Sequence, residues 1–135
     1  GCRGLGSSSM IILDTHIWIW WVDENPKLSS QNREIIQSEQ GDGLGISIIS
    51  CWEIAKLVEK NRLDLGISLE EWLENAINYH QIQVLHLSLP IILESTRLSG
   101  FHADPADQII VATARVHGVT LVTQDQKINH YFSQS

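Results

Sequence analysis

Residues Met10–Val22 read MIILDTHIWIWWV. A short apolar run, Met10–Leu13, ends on an acid, Asp14, and a segment able to form a helix follows from Thr15 to Val22. The same order of strand, acid and helix recurs along the chain. GISIISCW (45–52) leads to Glu53, HADPADQIIVATA (102–114) holds Asp107 at the start of a strongly helical run, and TLVTQ (120–124) leads to Asp125. Strand and helix signals that alternate in this way predict an α/β fold with a mostly parallel central sheet. In such a sheet the strand ends share one edge, so the acids that follow them can face one crevice.

Four carboxylates gathered there repel one another by roughly 3 kcal/mol per pair, taking about 5 Å and an effective dielectric of about 20. A bound divalent cation is the simplest remedy, and the set reads as an acidic, hydrated-metal site. Magnesium takes oxygen ligands, keeps several waters and commonly uses only one or two carboxylates directly. The remaining acids can hold the waters on the ion. Each acid also has a plainer reading. Ser50-Cys51-Trp52-Glu53 has the spacing of a helix capping box. Asp104 before Pro105 suits an N-cap, with Asp107 in the first turn, and Asp125 suits the cap of a last helix. Capping alone does not require four acids at one end of one sheet.

The other elements follow from local signals. Asn25-Pro26 marks a turn, and Ser29 or Ser30 caps a helix to about Ser38. Gly41, Gly43 and Gly45 read as a flexible connection into a strand over Ile46–Ile49, and a helix follows Ser50 to about Lys60. Ser68 and Glu71 form another capping box, with Trp72, Leu73, Ala76 and Ile77 behind it. Gln83–Leu87 reads as a third strand, and Pro90 suits the first turn of a helix through Thr96. The helix opened by Asp104, Pro105 and Asp107 runs to about His117 and ends at Gly118. Thr120–Val122 is the fourth strand, and a short helix starts at Asp125 or Gln126. GCRGLGSSS (1–9) is small and patternless and reads as an expression remnant. Residues 10–135 read as a single domain.

Composition limits the function. Of 135 residues, 43% are hydrophobic and 19% charged, which is globular rather than disordered. No apolar run approaches the roughly 20 residues that span a bilayer. Cys2 and Cys51 are the only cysteines, too few for a disulfide framework or a Cys-rich zinc site, and a cytoplasmic location is expected. The net charge of −7 argues against a surface that coats nucleic acid, although it leaves room for a nuclease whose acids hold metal.

At IILDTHIWIWW, SIISCWEIAKL, HADPADQIIVATA and LVTQDQKI, in that order, the chain resembles the PIN-domain family, especially the toxin ribonucleases of the VapC type. The resemblance covers Met10 to Phe132. It implies a three-layer fold and a Mg²⁺- or Mn²⁺-dependent endoribonuclease that leaves 5′-phosphate and 3′-hydroxyl ends. It also implies an antitoxin partner and a homodimer. It maps the metal site onto Asp14, Glu53, Asp107 and Asp125, with Thr123 as a hydroxyl helper and Asp104 as a possible addition. Members of the subgroup often carry basic residues where this chain has Ala103 and Gln108. Lys56, Lys60, Arg62 or Arg115 are then the expected phosphate contacts. The competing class is a non-catalytic PIN-like module for protein or RNA binding, favoured by the acidic charge and by the residues at 103 and 108.

Other constellations carry less. His16 and His102 lie nearest the acids and read as ordinary polar or packing residues; no His pair has zinc spacing. Trp18, Trp20 and Trp21 suit a core or a protein interface better than base stacking, and Trp52 and Trp72 fit helix packing. There is no GxSxG elbow and no phosphate-binding GxxxxGK[ST] loop. LDTH is only weakly like the aspartyl phosphatases, because His16 stands where their second acid belongs.

Overall fold

The computed structural model describes residues 10–98 and 104–134, with side chains as far as residue 130. The leader 1–9, His102 and Ala103 lie outside the described residues. Four strands, β1 (Ile11–Leu13), β2 (Leu44–Ser47), β3 (Ile82–Leu85) and β4 (Thr120–Val122), form one sheet in the order β3-β2-β1-β4. All three pairings are parallel, with Ile11 beside Leu44 and Thr120, and Leu44 beside Ile82. The described helices are α1 (Thr15–Val22), α2 (Ser30–Glu39), α3 (Ile48–Glu59), α4 (Leu69–Asn78), α5 (Leu89–Ser95), α6 (Pro105–His117) and α7 (Gln126–Gln134). None of them is long and apolar enough to cross a membrane.

Side chains of β1 alternate between two apolar layers, as the period of a strand requires. Ile11 and Leu13 join Leu44, Ile46, Ile17, Trp18, Ile36, Ile54 and Trp72 in the larger core. Ile12 faces the other side and packs with Leu85 and Ala114 of α6. With both faces covered, all three residues of β1 are buried, which explains an uninterrupted apolar run in place of alternation. Trp18 is fully buried and meets Trp72 edge-on at 5.3 Å between ring centres.

The predicted elements are all present, and the differences have local causes. β2 begins at Leu44 and ends at Ser47, two residues earlier than expected at each end. Gly45 is therefore a strand residue rather than part of a flexible connection. A Cβ there would come within 3.1 Å of Met10 Sδ and 3.4 Å of the Gln83 carbonyl, a tight fit that would push the Met10 side chain aside by a few tenths of an ångström. The cap of α3 is Ser47, whose hydroxyl accepts the Ile49 N–H at 3.2 Å, and not Ser50. Glu53 is accordingly not the acid of a capping box. Ser68 caps α4 as expected, its Oγ accepting the Glu71 N–H at 3.1 Å, while the Glu71 carboxylate accepts the Ser68 hydroxyl at 3.1 Å rather than its backbone N–H. β3 spans Ile82–Leu85 rather than Gln83–Leu87. Gly118 ends α6 at φ +65°, a conformation that disfavours any residue with a Cβ. Trp52 departs from the packing role expected of it and is 54% exposed.

The register of α3 rests on the Ser47 cap. Ser47→Ala should lower stability by about 1 kcal/mol, read as a shift of the urea midpoint; an unchanged midpoint would remove Ser47 as the cap.

Candidate metal centre

The strand order reverses at β1, which connects forward to β2 on one side and pairs with β4 on the other. A parallel sheet opens a crevice at the carboxyl ends of its strands at such a point. Asp14 follows β1, Asp125 follows β4, and α3 with Glu53 follows β2 directly. Helix α6 returns the chain to β4 and runs antiparallel to the strands, so its first turn, with Asp104 and Asp107, lies at the same edge. A cavity of about 460 Å³ opens there, lined by Asp14, Glu53, Asp104, Asp107 and Asp125, together with Thr15, His16, Ile17, Trp20 and Gln124. Among the described residues, no lysine or arginine lines it.

Two threonines tie the acids together. Asp14 Oδ1 accepts the Thr15 N–H at 2.8 Å, and its Oδ2 accepts the Thr123 hydroxyl at 2.7 Å. Thr123 Oγ1 in turn accepts the Asp125 N–H at 3.0 Å. On the other side the Thr15 hydroxyl donates to Glu53 Oε1. That use of its proton leaves Ser50 as the donor in the 2.8 Å Thr15–Ser50 contact. Ser50, Thr15 and Glu53 therefore form a one-way chain of hydrogen bonds that ends on a carboxylate. Ser50 and Glu53 lie three residues apart on α3 and share a face. Thr15 and Ser50 are both buried; Thr15 was missed in the sequence because it carries neither a charge nor a motif of its own, and Ser50 was read there only as a helix cap. Thr123 takes the helping position expected of it.

Capping and cavity lining are shared duties. Asp104 Oδ1 accepts the Asp107 N–H at 2.9 Å, and Asp125 Oδ1 accepts the Lys127 N–H at 2.8 Å. Together with Asp14, three acids on the cavity thus sit at helix N-termini, whose dipoles favour negative charge. Asp104, read from sequence mainly as a cap, belongs to the tightest group. One oxygen each from Glu53, Asp104 and Asp107 lie within 4.8 Å of one another. Asp14 and Asp125 stand outside that trio but on the same cavity.

Burial, reinforced by neighbouring charge, raises the affinity of Asp107, Glu53 and Asp14 for protons. Asp107 is pushed up to about 7 by burial first, then by the charges of Asp104, Asp14, Glu53 and Asp125. Burial also lifts Glu53, opposed by the Thr15 hydroxyl and reinforced by Asp104 and Asp14. Burial lifts Asp14, against the pull of its bonds to Thr123 and Thr15. An all-oxygen donor set, short of protein cations and with raised pKa values, fits a hard divalent ion.

The basic residues lie elsewhere. Lys56 is an exposed partner of Glu59 at 2.9 Å. Lys60 is the C-cap of α3, about 18 Å along the helix axis from its start, and Arg62 lies beyond it. Arg115 follows Asp107 by two turns of α6, about 12 Å, and pairs with Glu94 at 2.9 Å. None of the four lines the cavity.

Asp107 supplies a stability test without metal. Its carboxyl titrates higher in the fold than the ordinary 3.8, so its stabilising contribution is complete below about 3.8 and is lost as pH rises through about 7. In chelator-treated protein, Asp107→Asn should therefore be more stable than the parent at pH 8, on the order of 1–2 kcal/mol after allowance for partial exposure. The advantage should vanish near pH 4. Equal pH profiles in thermal melts would contradict the crowding.

Comparison with known proteins places this geometry in a family. A PIN-domain family model matches residues 11–132. Ribonuclease VapC22 of Mycobacterium tuberculosis is 33% identical over 122 residues, covering 90% of this chain and 91% of its own. The solved structure of VapBC2 from Rickettsia felis bound to a promoter DNA fragment has a TM-score of 0.69 at 19% identity, covering 90% of this chain and 92% of that one. A toxin-antitoxin complex from Klebsiella pneumoniae has a TM-score of 0.59 at 21% identity, covering 87% and 88%. The two structures agree in fold, and the sequence match spans every strand and every acid on the cavity: the chain belongs to the PIN-domain family.

Proposed function

We propose that this chain is an endoribonuclease that hydrolyses RNA phosphodiester bonds with Mg²⁺ or Mn²⁺, and that it is the toxin of a toxin–antitoxin pair. The observation that carries the reading is the meeting of five carboxylates, from four separate stretches of chain, on one cavity whose described lining holds no Lys or Arg. The 33% identity to a ribonuclease across nearly the whole chain supports the choice of RNA. An antitoxin partner has support from the complexes that share the fold. A homodimer and a cytoplasmic location belong to the same reading.

Glu53, Asp104 and Asp107 would hold the cation, with Asp14 and Asp125 completing the negative wall, directly or through water. A divalent ion held there offsets charge on a phosphate oxygen and makes water a better nucleophile at neutral pH. The protein's own contribution is placement. Thr123 and the Thr15 amide hold both oxygens of Asp14, and the Ser50–Thr15 chain holds Glu53. Asp107 lacks a hydrogen-bond donor among the described residues and titrates near neutrality, so proton and cation compete at that group. Hydrolysis in this scheme forms a bond from water oxygen to phosphorus and breaks the bond to the 3′-oxygen, leaving 5′-phosphate and 3′-hydroxyl ends. No carboxylate becomes covalently attached.

Purified protein should cleave RNA only when Mg²⁺ or Mn²⁺ is supplied. Asp14→Asn and Asp107→Asn should each reduce cleavage on the order of 100-fold or more. Equal cleavage by all three proteins would identify a contaminant and sink the site. No cleavage of a broad RNA panel, with no cation binding by calorimetry, would favour a non-catalytic binding module. In the same assay, a small protein encoded beside this chain that neither binds it nor quenches cleavage would remove the antitoxin part of the reading.

A further inference from the structure

An RNA strand entering this cavity meets a wall that repels it. Five carboxylates face the incoming phosphates, the whole chain carries a net charge of −7, and no described lysine or arginine lines the cavity. The counterion release that supplies most affinity in nucleic-acid binding is therefore weak here. A cation balances part of the acid charge but does not hold the rest of the strand. An uncharged contact has to contribute, and the lining offers one.

His16 and Trp20 lie one turn apart on α1, on the same face, beginning two residues after Asp14. Both line the cavity, and their ring centres are 5.7 Å apart with planes inclined at 49°. His16 is exposed and Trp20 half-buried against the main core, unlike fully buried Trp18. The core anchors Trp20 while the cavity leaves part of it accessible. We infer that Trp20, with His16, forms an aromatic wall that stacks one nucleobase of the bound strand beside the scissile phosphate.

Stacking suits this place for two reasons. It needs no positive charge, so it neither competes with the acids for the cation nor neutralises them. Every base has a π-face, so the contact tolerates sequence. Sequence reading favoured a core or interface role for Trp20. The fold divides the tryptophan cluster, sending Trp18 inward and Trp20 to the cavity rim.

The inference rests on the ribonuclease reading, and the test separates the two. A short single-stranded RNA cut at one bond would be prepared with one abasic riboside at each position around that bond. Cleavage constants would be measured in Mn²⁺ for the parent chain, Trp20→Ala, Trp20→Phe and His16→Ala. One abasic position should raise KM of the parent roughly tenfold or more with kcat little changed. Trp20→Ala should show that loss on intact RNA and no further loss at that position, while Trp20→Phe keeps most of the parent's affinity. His16→Ala, at an exposed site, should give a smaller loss confined to the same position. Because Trp20→Ala removes core contacts, the abasic series on the parent chain stands as evidence independent of folding. A KM indifferent to base removal everywhere, or a Trp20→Ala loss equal on intact and abasic RNA, would overturn the inference. If no RNA is cleaved, anisotropy titrations of the same labelled oligonucleotides decide. Binding that weakens at one abasic position would keep the aromatic wall and sink the nuclease reading alone. Base-indifferent binding, or none, would overturn the wall.

Discussion

Five like charges held around one cavity are the constraint on which the rest of this molecule turns. The sheet imposes it, because parallel strands deliver β1, β2 and β4 to one edge and the antiparallel return of α6 brings Asp104 and Asp107 to the same place. Three helix N-termini and the hydroxyls of Thr15 and Thr123 relieve part of the repulsion. They do not remove it, since burial and mutual charge still push Asp107 to about 7. A fold that spends apolar packing to keep such a cluster together is poised for a cation.

The same bonds serve structure and site at once. Asp14 caps α1 with one oxygen and takes Thr123 with the other, so the start of a helix and the end of β4 are tied at the cavity. Asp104 caps α6 through the amide of Asp107, which sets the spacing between two of the closest acids. Capping is thus the means by which the carboxylates are positioned, and no choice between a structural and a functional role is required. Substitutions at these acids will mix stability with activity for that reason.

Much of this was legible in the sequence because its punctuation is chemical. Apolar MIIL before Asp14, Asp104-Pro105 before a helix and Gly118 after it each specify a local conformation, and each is found where it was read. The β2–α3 junction was misjudged because ISIIS offers two serines, each able to cap a helix, among isoleucines that suit a strand equally well. Ser47 wins, since a helix starting at Ile48 turns Ser50 and Glu53 together toward Thr15. Neutral Thr15 had no signal to betray it. The basic residues looked near to Glu53 and Asp107 in sequence, but helix rise carries Lys60 and Arg115 toward the opposite end of the domain. Asp104 was underweighted because one good explanation, capping, had seemed sufficient.

The most direct test of the central claim is the proton equilibrium of Asp107 itself, followed by carbon-13 NMR of its side-chain carboxyl across pH, with and without saturating Mg²⁺. Burial together with the charges of the neighbouring carboxylates predicts a midpoint of about 7 in the absence of the ion and a marked fall when it is added. An ordinary carboxyl midpoint near 4 that Mg²⁺ leaves unchanged would contradict both the crowding and the cation site built on it.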